Sequence, residues 1–248
     1  MDLVDMIRRR IREEVYNKLE KNNATRPPYP IRGRIPNFKG AEQAAELLAR
    51  TPEWRNSKII KVNPDSPQRP VRLKALKEGK TLIMPTPRIR QGFLLLPGGD
   101  IPEEYKRYAS TIRGAFRFGI LLDTIPKIKT TIKGIDLIVE GSVAIDKNCN
   151  RLGKGEGYGD IEYGILTELG IVDEKTPIAT TIHDLQLVDN IPRKPHDVPV
   201  DLIVTNTRII RCGKRGHRPK GIDYESLPKE KLDAIPLLKE LLERRGIG

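Results

Sequence analysis

Short apolar runs rich in β-branched residues alternate along this chain with segments of helical periodicity, and this alternation constrains the fold most. Apolar runs of this kind occupy 58–62, 80–85 and 177–182, and helical patterns occupy 3–21, 40–50 and 71–78. Uninterrupted apolar strands are typical of parallel sheets, which are buried on both faces. The alternation therefore predicts an α/β fold of three layers, with helices on both sides of a largely parallel sheet.

The same pattern continues to the end of the chain. Further strands are predicted at 93–96 and 202–205, and one long buried strand or a bent pair at 135–145. Further helices are predicted at 102–109, from a glycine-rich turn to about 169, and at 228–245. A chain of 248 residues can bury one large core. We predict one α/β domain over 1–210, to which a basic loop and a terminal helix at 211–248 are appended.

The composition limits the location of the protein. Hydrophobic residues make up 38% of the chain and charged residues 31%, which is the balance of a folded globular protein. No segment approaches the ~20 consecutive apolar residues of a membrane helix, and charges interrupt the N-terminus where a signal peptide is apolar. We therefore expect a cytoplasmic protein with no membrane partner. Cys149 and Cys212 lack the spacing of a zinc site and are interpreted as reduced structural thiols.

The positive charge suggests an anionic ligand. The formal net charge is +12, and the stretch Arg208–Gly221 holds six Lys or Arg residues and no acid. Such a balance suits the phosphates of a nucleotide or a nucleic acid, although a solvated basic surface would show it as well. Charge alone leaves these alternatives open.

A turn with alternating glycines is the strongest local signal for a ligand site. The glycines of Gly153–Gly157 lie between a predicted buried strand and a predicted helix. Because glycine has no Cβ, its backbone N–H groups can approach a ligand closely, and a helix N-terminus favours an anion. Arg151 and Lys154 add positive charge, and Asp160 could hold Mg²⁺ against phosphates. The turn matches neither the Walker A loop nor the dinucleotide motif, so a simple tight turn stays an alternative.

The residues around this turn resemble the signature of 5-formyltetrahydrofolate cyclo-ligases. The resemblance rests on Ala144-Ile-Asp-Lys-Asn-Cys-Asn-Arg-Leu-Gly-Lys-Gly-Glu-Gly-Tyr-Gly-Asp160. In that family a buried strand ends in aspartate and is followed by an Asn-Arg-Leu-Gly turn and a Gly-x-Gly-Tyr-Tyr-Asp run. Weaker similarities are the basic first helix, Met84-Pro-Thr-Pro-Arg88 and the late strand after His196. The segment Arg34-Ile-Pro-Asn-Phe-Lys-Gly40 is similar to the methenyltetrahydrofolate synthetase domain-containing branch.

The resemblance implies a fold and a set of ligand contacts. The fold would be the three-layer α/β/α arrangement of cyclo-ligases, which is similar to that of CoA transferases. The residues implied at an ATP site are Arg8, Arg12, Arg88, Arg151, Gly153, Lys154, Gly155, Gly157, Tyr158 and Asp160. Among them, Arg151, Lys154 and Asp160 would serve the chemistry, and Asp160 would bind Mg²⁺.

The resemblance also implies a reaction. ATP would drive closure of 5-formyltetrahydrofolate, or of a related reduced pterin, to the 5,10-methenyl compound with release of ADP and phosphate. ATP would phosphorylate the formyl oxygen, N10 would attack, and phosphate would leave. Such chemistry depends on positioning and cationic stabilisation more than on a strong base, which suits a site rich in arginine and lysine.

Three positions depart from the family pattern. The family's second tyrosine is Gly159 here, and Glu156 replaces a basic or small residue before Gly157. The acid that faces the folate in the family is expected shortly after the first strand, where Asp65 could serve. These departures place the substrate half of the site further from the family than the ATP half.

Two other functions fit the same fold. One is a nucleic-acid-binding module and the other is an ATP-binding module without turnover. The aromatic content of 5% argues against the first, because RNA-binding surfaces use aromatic side chains to stack bases. His183 and His196 precede aspartates at strand ends, where hydrogen-bonded structural pairs and direct ligand contacts are both possible. Asp197 and Asp201 are interpreted as caps of strand ends.

Overall fold

The structure is a central β-sheet with helices on both faces. The computed structural model describes residues 2–213 and 215–246. The strands are β1 (Ile59–Val62), β2 (Thr81–Pro85), β3 (Phe93–Pro97), β4 (Ile120–Leu122), β5 (Leu137–Glu140), β6 (Ala144–Asp146), β7 (Arg151–Leu152), β8 (Ile178–Thr181), β9 (Leu187–Val188), β10 (Leu202–Val204) and β11 (Ile209–Arg211). The helices are α1 (Leu3–Lys21), α2 (Ala41–Ala49), α3 (Pro52–Arg55), α4 (Arg69–Lys77), α5 (Glu103–Ala109), α6 (Ile112–Phe118), α7 (Ile125–Thr131), α8 (Tyr158–Glu168), α9 (Lys229–Ala234) and α10 (Pro236–Arg244).

The main sheet has eight strands in the order β11-β10-β8-β5-β1-β2-β3-β4. The five inner strands, from β10 to β2, pair in parallel. β11 at one edge and β3 and β4 at the other pair antiparallel. The predicted three-layer α/β fold with a largely parallel sheet is thus confirmed.

Alternate residues of the inner strands enter different cores. Ile60, Val62 and Val139 pack on the face that α2 and α4 cover. Ile59 and Ile138 belong to the core of the other face, which includes residues of α7 and α8. Because successive side chains of a strand point to opposite faces, a strand buried on both faces must be apolar almost throughout. This is why the strands are continuous apolar runs in the sequence.

The predicted strand or bent pair at 135–145 is divided between two sheets. β5 ends at Glu140 inside the main sheet, and β6 begins at Ala144 in a second sheet with the order β7-β6-β9. α1 covers this small sheet, since Ile11 and Leu19 pack with Ala144 and Leu152 in a third core. The small sheet therefore carries the chain from the main sheet to the glycine-rich turn.

The C-terminal segment packs on the same core as the main sheet. The helix predicted at 228–245 is broken at Ile235, whose φ of −115° and ψ of 99° are extended, and Pro236 begins α10. Leu237, Leu238 and Leu241 of α10 are buried together with residues of α7 and α8. A division of the chain at residue 210 stays a prediction.

Cys149 and Cys212 form a disulfide, with their Cα atoms 6.1 Å apart. The interpretation of these residues as reduced thiols is therefore wrong. They are separated by 63 residues, and only the packing of the loop after β6 near the end of β11 brings them together. No helix within residues 2–213 and 215–246 is long and apolar enough to cross a membrane.

Candidate functional site

A cleft of about 640 Å³ opens beside the carboxyl ends of β1, β2 and β5. The chain runs from β1 to β2 on one side and later returns to β5 on the other, and open α/β sheets bind ligands at such a reversal. α1, the glycine-rich turn and the start of α8 complete the walls. All ten residues predicted for the ATP site line this one cleft.

The signature residues upstream of the glycines shape the backbone. The buried carboxylate of Asp146 accepts hydrogen bonds from the backbone N–H groups of Asn148, Asn150 and Ile191. These contacts fold the chain back between β6 and β7. Asp146 and Asn150 therefore act as turn residues, which positions the glycines at the edge of the cleft.

The glycine-rich turn uses conformations that other residues rarely adopt. Gly155 has a φ of 107° and Gly157 a φ of 68°, and Gly157 is the N-cap of α8. Residues with a Cβ are strained there. The turn therefore directs its backbone and the positive end of the α8 dipole toward the cleft, an arrangement that suits a phosphate group.

The two arginines of α1 have different partners. Arg8 forms two hydrogen bonds of 3.0 and 2.9 Å with the carboxylate of Asp197, and both residues are buried. Asp197 is thus an ion-pair partner rather than only a strand-end cap. Arg12 donates from Nε to the carbonyl oxygen of Gly153 at 2.7 Å and has no ion pair within the described part of the chain. Burial and the neighbouring Arg8 lower the pKa of Arg12. Arg12 is the better candidate for a phosphate contact.

On the other side of the turn, Glu156 forms ion pairs with two cations. Its carboxylate lies 2.8 Å from Lys154 Nζ and 3.7 Å from Arg88 Nη2. Arg88 is exposed and Lys154 is partly exposed. A phosphate that bound here would compete with Glu156 for both cations. We call Arg12, Arg88, Lys154 and the turn Gly153–Gly157 the glycine end of the cleft.

Asp160 and Arg151 form a partly buried ion pair behind the turn. Arg151 Nη2 donates to Asp160 Oδ1 at 2.8 Å, and the N–H of Val198 donates to the same oxygen at 3.1 Å. Arg151 Nη1 donates to the carbonyl of Gly141. Burial alone would lower the pKa of Arg151, but Asp160 and Glu140 raise it above its ordinary value. Arg151 therefore stays charged and holds Asp160 at the cleft wall.

Asp160 is compatible with a magnesium ion bound mainly by a nucleotide. No group of three or more His, Cys, Asp or Glu residues suited to a metal occurs among residues 2–213 and 215–246. Mg²⁺ commonly binds through one or two carboxylates, water and substrate phosphates, so one acid suffices. Asp160 lines the cleft, and its side-chain hydrogen bonds to the described residues use only Oδ1.

Three acids and one lysine form a second group of charges, at the base of the cleft. Lys61 Nζ lies 2.6 Å from Glu140 Oε1 and also contacts Glu162 Oε2. These three side chains are almost completely buried, and Glu162 lines the cleft together with Asp65. We call Asp65, Glu140 and Glu162 the acidic floor.

One lysine serves two of the three acids of the acidic floor. The pKa of Glu162 is raised to about 7, mainly by burial and also by Glu140 and Asp65, against the opposing effect of Lys61. Burial also raises the pKa of Asp65. The pKa of Glu140 is lowered despite burial, because Lys61 and Arg151 favour its ionised form. Lys61 therefore favours the ionised form of Glu140 more than that of Glu162.

Gly159 provides the space that Glu140 occupies. A Cβ at position 159 would lie 2.7 Å from Glu140 Oε2 and 3.2 Å from Arg151 Nη2. The first distance is shorter than packing tolerates, so a Cβ at 159 would force Glu140 Oε2 to shift, and glycine permits its present position. The glycine at 159 and the buried acid at 140 thus belong to one arrangement.

Comparison with protein families gives a direct assignment. The model of the 5-formyltetrahydrofolate cyclo-ligase family matches residues 5–206. The chain belongs to the 5-formyltetrahydrofolate cyclo-ligase family. This family consists of ATP-dependent ligases, and its match covers the glycine end and the acidic floor alike.

Curated relatives carry the name of the branch that the sequence resembles. The chain is 39% identical over 236 residues to a methenyltetrahydrofolate synthase domain-containing protein of Danio rerio, and 39% identical over 239 residues to one of Mus musculus. These alignments cover 93% and 94% of this chain but only 60% and 63% of those relatives. The chain thus spans about three fifths of the length of these relatives.

A solved structure supports the fold. The NMR structure of Aquifex aeolicus 5,10-methenyltetrahydrofolate synthetase superimposes with a TM-score of 0.50 at 21% identity, and covers 89% of this chain and 100% of the other. At this identity the similarity concerns the fold alone.

The remaining candidate residues lie in different parts of the structure. His183 accepts a hydrogen bond from the N–H of Leu185, packs edge-on against Phe38 and lies outside the lining of the cleft, which favours a structural role. His196 lines the cleft beside Asp197. Tyr158 also lines the cleft, and Lys231 of α9 lies 5.3 Å from its ring centre. The contact of Lys231 brings the C-terminal segment to the glycine end.

The basic stretch 208–221 is largely neutralised by the fold. Arg211 pairs with Glu53, and Arg215 and the buried Arg218 both pair with Asp201. Lys214 lies outside the described residues. These pairs reduce the free positive charge on which a nucleic-acid interface would depend. Nucleic-acid binding stays a prediction without support from this geometry.

Lys61, Glu140 and Glu162 are the site residues that sequence reasoning missed. The signal was present, since a lysine and a glutamate interrupt two strands that are otherwise apolar. A charge inside a central strand must find a partner in the core, because an unpaired buried charge is very unfavourable.

Proposed function

We propose that the protein is an ATP-dependent 5-formyltetrahydrofolate cyclo-ligase that forms 5,10-methenyltetrahydrofolate, ADP and phosphate. The observation that carries the proposal is the glycine end. A glycine turn at the N-terminus of α8, with Arg12 and Lys154 beside it, lies in the cleft at the reversal of strand order. The match to the cyclo-ligase family supports a reaction in which this part of the cleft binds phosphate groups.

The proposed reaction proceeds in two chemical steps. The formyl oxygen attacks the terminal phosphorus of ATP, the bond to the bridging oxygen breaks, and ADP leaves. N10 then forms a bond to the formyl carbon and loses its proton to solvent. The carbon–oxygen bond to phosphate breaks, and phosphate leaves with the electron pair. The product is a cation whose positive charge is shared by N5 and N10.

Residues of the glycine end would bind and orient the triphosphate. The amides of Gly153–Gly157, the guanidinium of Arg12 and the ammonium of Lys154 would contact its oxygens, with Arg88 at the outer rim. Arg151 would hold Asp160 in place. Mg²⁺ bound at Asp160 would neutralise charge on the phosphates during transfer. A reduced folate or related pterin would occupy the rest of the cleft. The cytoplasmic location stays a prediction.

The test is product formation from purified protein, MgATP and 5-formyltetrahydrofolate. We expect the absorbance of the methenyl product to rise together with released phosphate, in equal amounts. Asp160→Asn should lose most of this turnover with little change in stability, whereas replacement of Lys220, an exposed residue outside the cleft, should leave it intact. The absence of methenyl product from any reduced formyl-pterin would refute the proposal. Tight, salt-dependent RNA binding in its place would favour the nucleic-acid alternative.

A further inference from the structure

The acidic floor is an arrangement that packing alone does not require. Lys61 of β1 pairs in register with Ile138 of β5, and Glu140 is two residues further along the same strand. Since residues two apart share a face of a strand, Lys61 and Glu140 point to the face that α8 covers. Glu162 of α8 meets them there. Three charged side chains from distant parts of the sequence thus converge in the core.

Several polar atoms of this group form no hydrogen bond although they are buried. Glu140 Oε2, Glu162 Oε2 and Arg151 Nε make no hydrogen bond among the residues that the structure describes. The contact of Glu162 with Lys61 is an ion pair without hydrogen-bond alignment. Glu162 is 3% exposed and Arg151 is 7% exposed, and both line the cleft. Buried polar atoms without a hydrogen bond are rare in native proteins, and each calls for an explanation such as a catalytic role or a bound water or ion.

The charges that face Glu162 are unequal in sign. From β1 it meets Lys61, from β5 Glu140, and from the loop after β1 Asp65. Arg151, from β7, is already hydrogen-bonded to Asp160. The carboxylate of Asp65 forms no ion pair within residues 2–213 and 215–246, although Lys154 and Arg72 are near enough to oppose the rise of its pKa. A positively charged group of a ligand beside Glu162 would favour its ionised form and supply a second cation to the two acids that share Lys61.

The cleft therefore presents two groups of opposite charge. The glycine end presents Arg12 and Lys154, whereas the acidic floor presents Asp65 and Glu162. A ligand pair that is anionic at one end and cationic at the other fits both. ATP supplies the anionic part, and the ring-closed product supplies a cation.

We propose that Glu162 is a specificity-determining residue that recognises the amidinium cation formed by ring closure, and that Lys61 and Glu140 position it. This inference rests on the proposed function. A neutral N-formyl group becomes a cation during the reaction, and a buried carboxylate stabilises charge that develops beside it. Glu162 should therefore contribute more to the transition state and product than to the substrate.

Gly159 connects this role to the departure from the family signature. A tyrosine at 159 would displace Glu140, because even a Cβ there lies 2.7 Å from its Oε2. Glycine at 159, together with acids at 140 and 162, makes an acidic wall where the family pattern has an aromatic ring. This region of the cleft then recognises charge.

The experiment compares two ligands that differ in charge, at one fixed pH at which both are stable. Calorimetric titration of wild type, Glu162→Gln and Glu156→Gln with 5,10-methenyltetrahydrofolate and with 5-formyltetrahydrofolate gives a ratio of dissociation constants for each protein. Glu162→Gln should weaken binding of the cation by roughly 10-fold and that of the formyl compound by less than about 2-fold. Glu156→Gln removes an acid at the glycine end and should leave the ratio unchanged.

Turnover gives a second measurement. Glu162→Gln should lower kcat by roughly 10²-fold with KM for MgATP unchanged, because the lost interaction strengthens in the transition state. The variant keeps a one-to-one pair of Lys61 with Glu140, so we expect it to fold. Gly159→Ala serves as a second variant, since it displaces Glu140 without removing a charge, and it should reduce the same ratio of dissociation constants.

The outcomes separate this inference from the proposed function. If wild type forms product and Glu162→Gln weakens both ligands equally or neither, the inference is wrong and the function stands. If wild type binds both ligands with a ratio that depends on Glu162 but forms no product, the function is wrong and the recognition of a cation stands. If wild type binds neither ligand, both are wrong.

Discussion

The two ends of the cleft are built by different means. The glycine end comes mainly from one continuous segment, Gly153–Gly157, with Arg12 and Arg88 added from elsewhere. The acidic floor combines Asp65, Glu140 and Glu162 from a loop, a strand and a helix, and Lys61 of β1 pairs with the last two. The geometry of the glycine end depends on the backbone conformation of one local segment. The acidic floor depends instead on the pairing of charges that come together in the core. Substitutions in the two regions should therefore fail in different ways.

The largest expected effect is the loss of the lysine in the core. Lys61→Met should lower the free energy of unfolding by ~3–5 kcal/mol, because it leaves two buried acids without their cation. Urea denaturation followed by circular dichroism measures this change. Lys58→Met, at an exposed position just before β1, is the matched control and should cost less than about 0.5 kcal/mol. Equal stabilities of the two variants would show that the acidic floor does not depend on Lys61.

The glycine end should fail in binding rather than in folding. Gly155→Val should abolish MgATP binding, because a side chain at a φ of 107° distorts the turn and its Cβ lies 3.5 Å from the guanidinium carbon of Arg12. Titration calorimetry measures the affinity. Gly170→Val is the control, since Gly170 also has a positive φ of 70° but has nothing within 4 Å of its Cβ position. If Gly155→Val folds and binds MgATP normally, the assignment of the turn to phosphate is refuted.

The arginines of α1 should differ in their effect on nucleotide affinity. Arg12→Ala should weaken MgATP binding by ~1–3 kcal/mol, because Arg12 has no acidic partner within the described residues and can form a charge-assisted bond to phosphate. Arg9→Ala, one of the exposed residues of the same helix, should change it by less than about 0.5 kcal/mol. A loss for Arg12→Ala as small as that for Arg9→Ala would place Arg12 outside the phosphate site.

The smallest expected effect concerns Glu156. Glu156→Gln should strengthen MgATP binding by ~0.2–1 kcal/mol, because it frees Lys154 and Arg88 from partly exposed ion pairs that contribute little. Stability should not change measurably. Weaker binding in this variant would mean that Glu156 supports the turn instead of competing with phosphate.

The sequence predicted the elements well where periodicity is strong. The helix predicted at 3–21 coincides with α1, and the strands predicted at 58–62 and 80–85 contain β1 and β2. α6 and α7 were not predicted from the sequence. Each of these helices has seven residues and an N-cap threonine, Thr111 or Thr124, which is a short-range signal that short helices share with ordinary turns.

Long-range pairings were beyond sequence reasoning. Cys149 and Cys212 form a disulfide across 63 residues, and Arg8 of α1 pairs with Asp197. Arg8 was predicted to contact ATP, yet its charge is already neutralised by an acid 189 residues away. Spacing along the chain carries no information about such partners, since the topology decides which loops meet.

The sequence by itself determined the alternation of strands and helices, the glycine turn and the family. These properties follow from local rules, because burial on two faces requires apolar strands and a positive φ favours glycine. Only the tertiary structure decided that Lys61, Glu140 and Glu162 converge beside Gly159. The physical reason is that the energy of a buried charge depends on its neighbours in space, and those neighbours are fixed by the order of strands in the sheet.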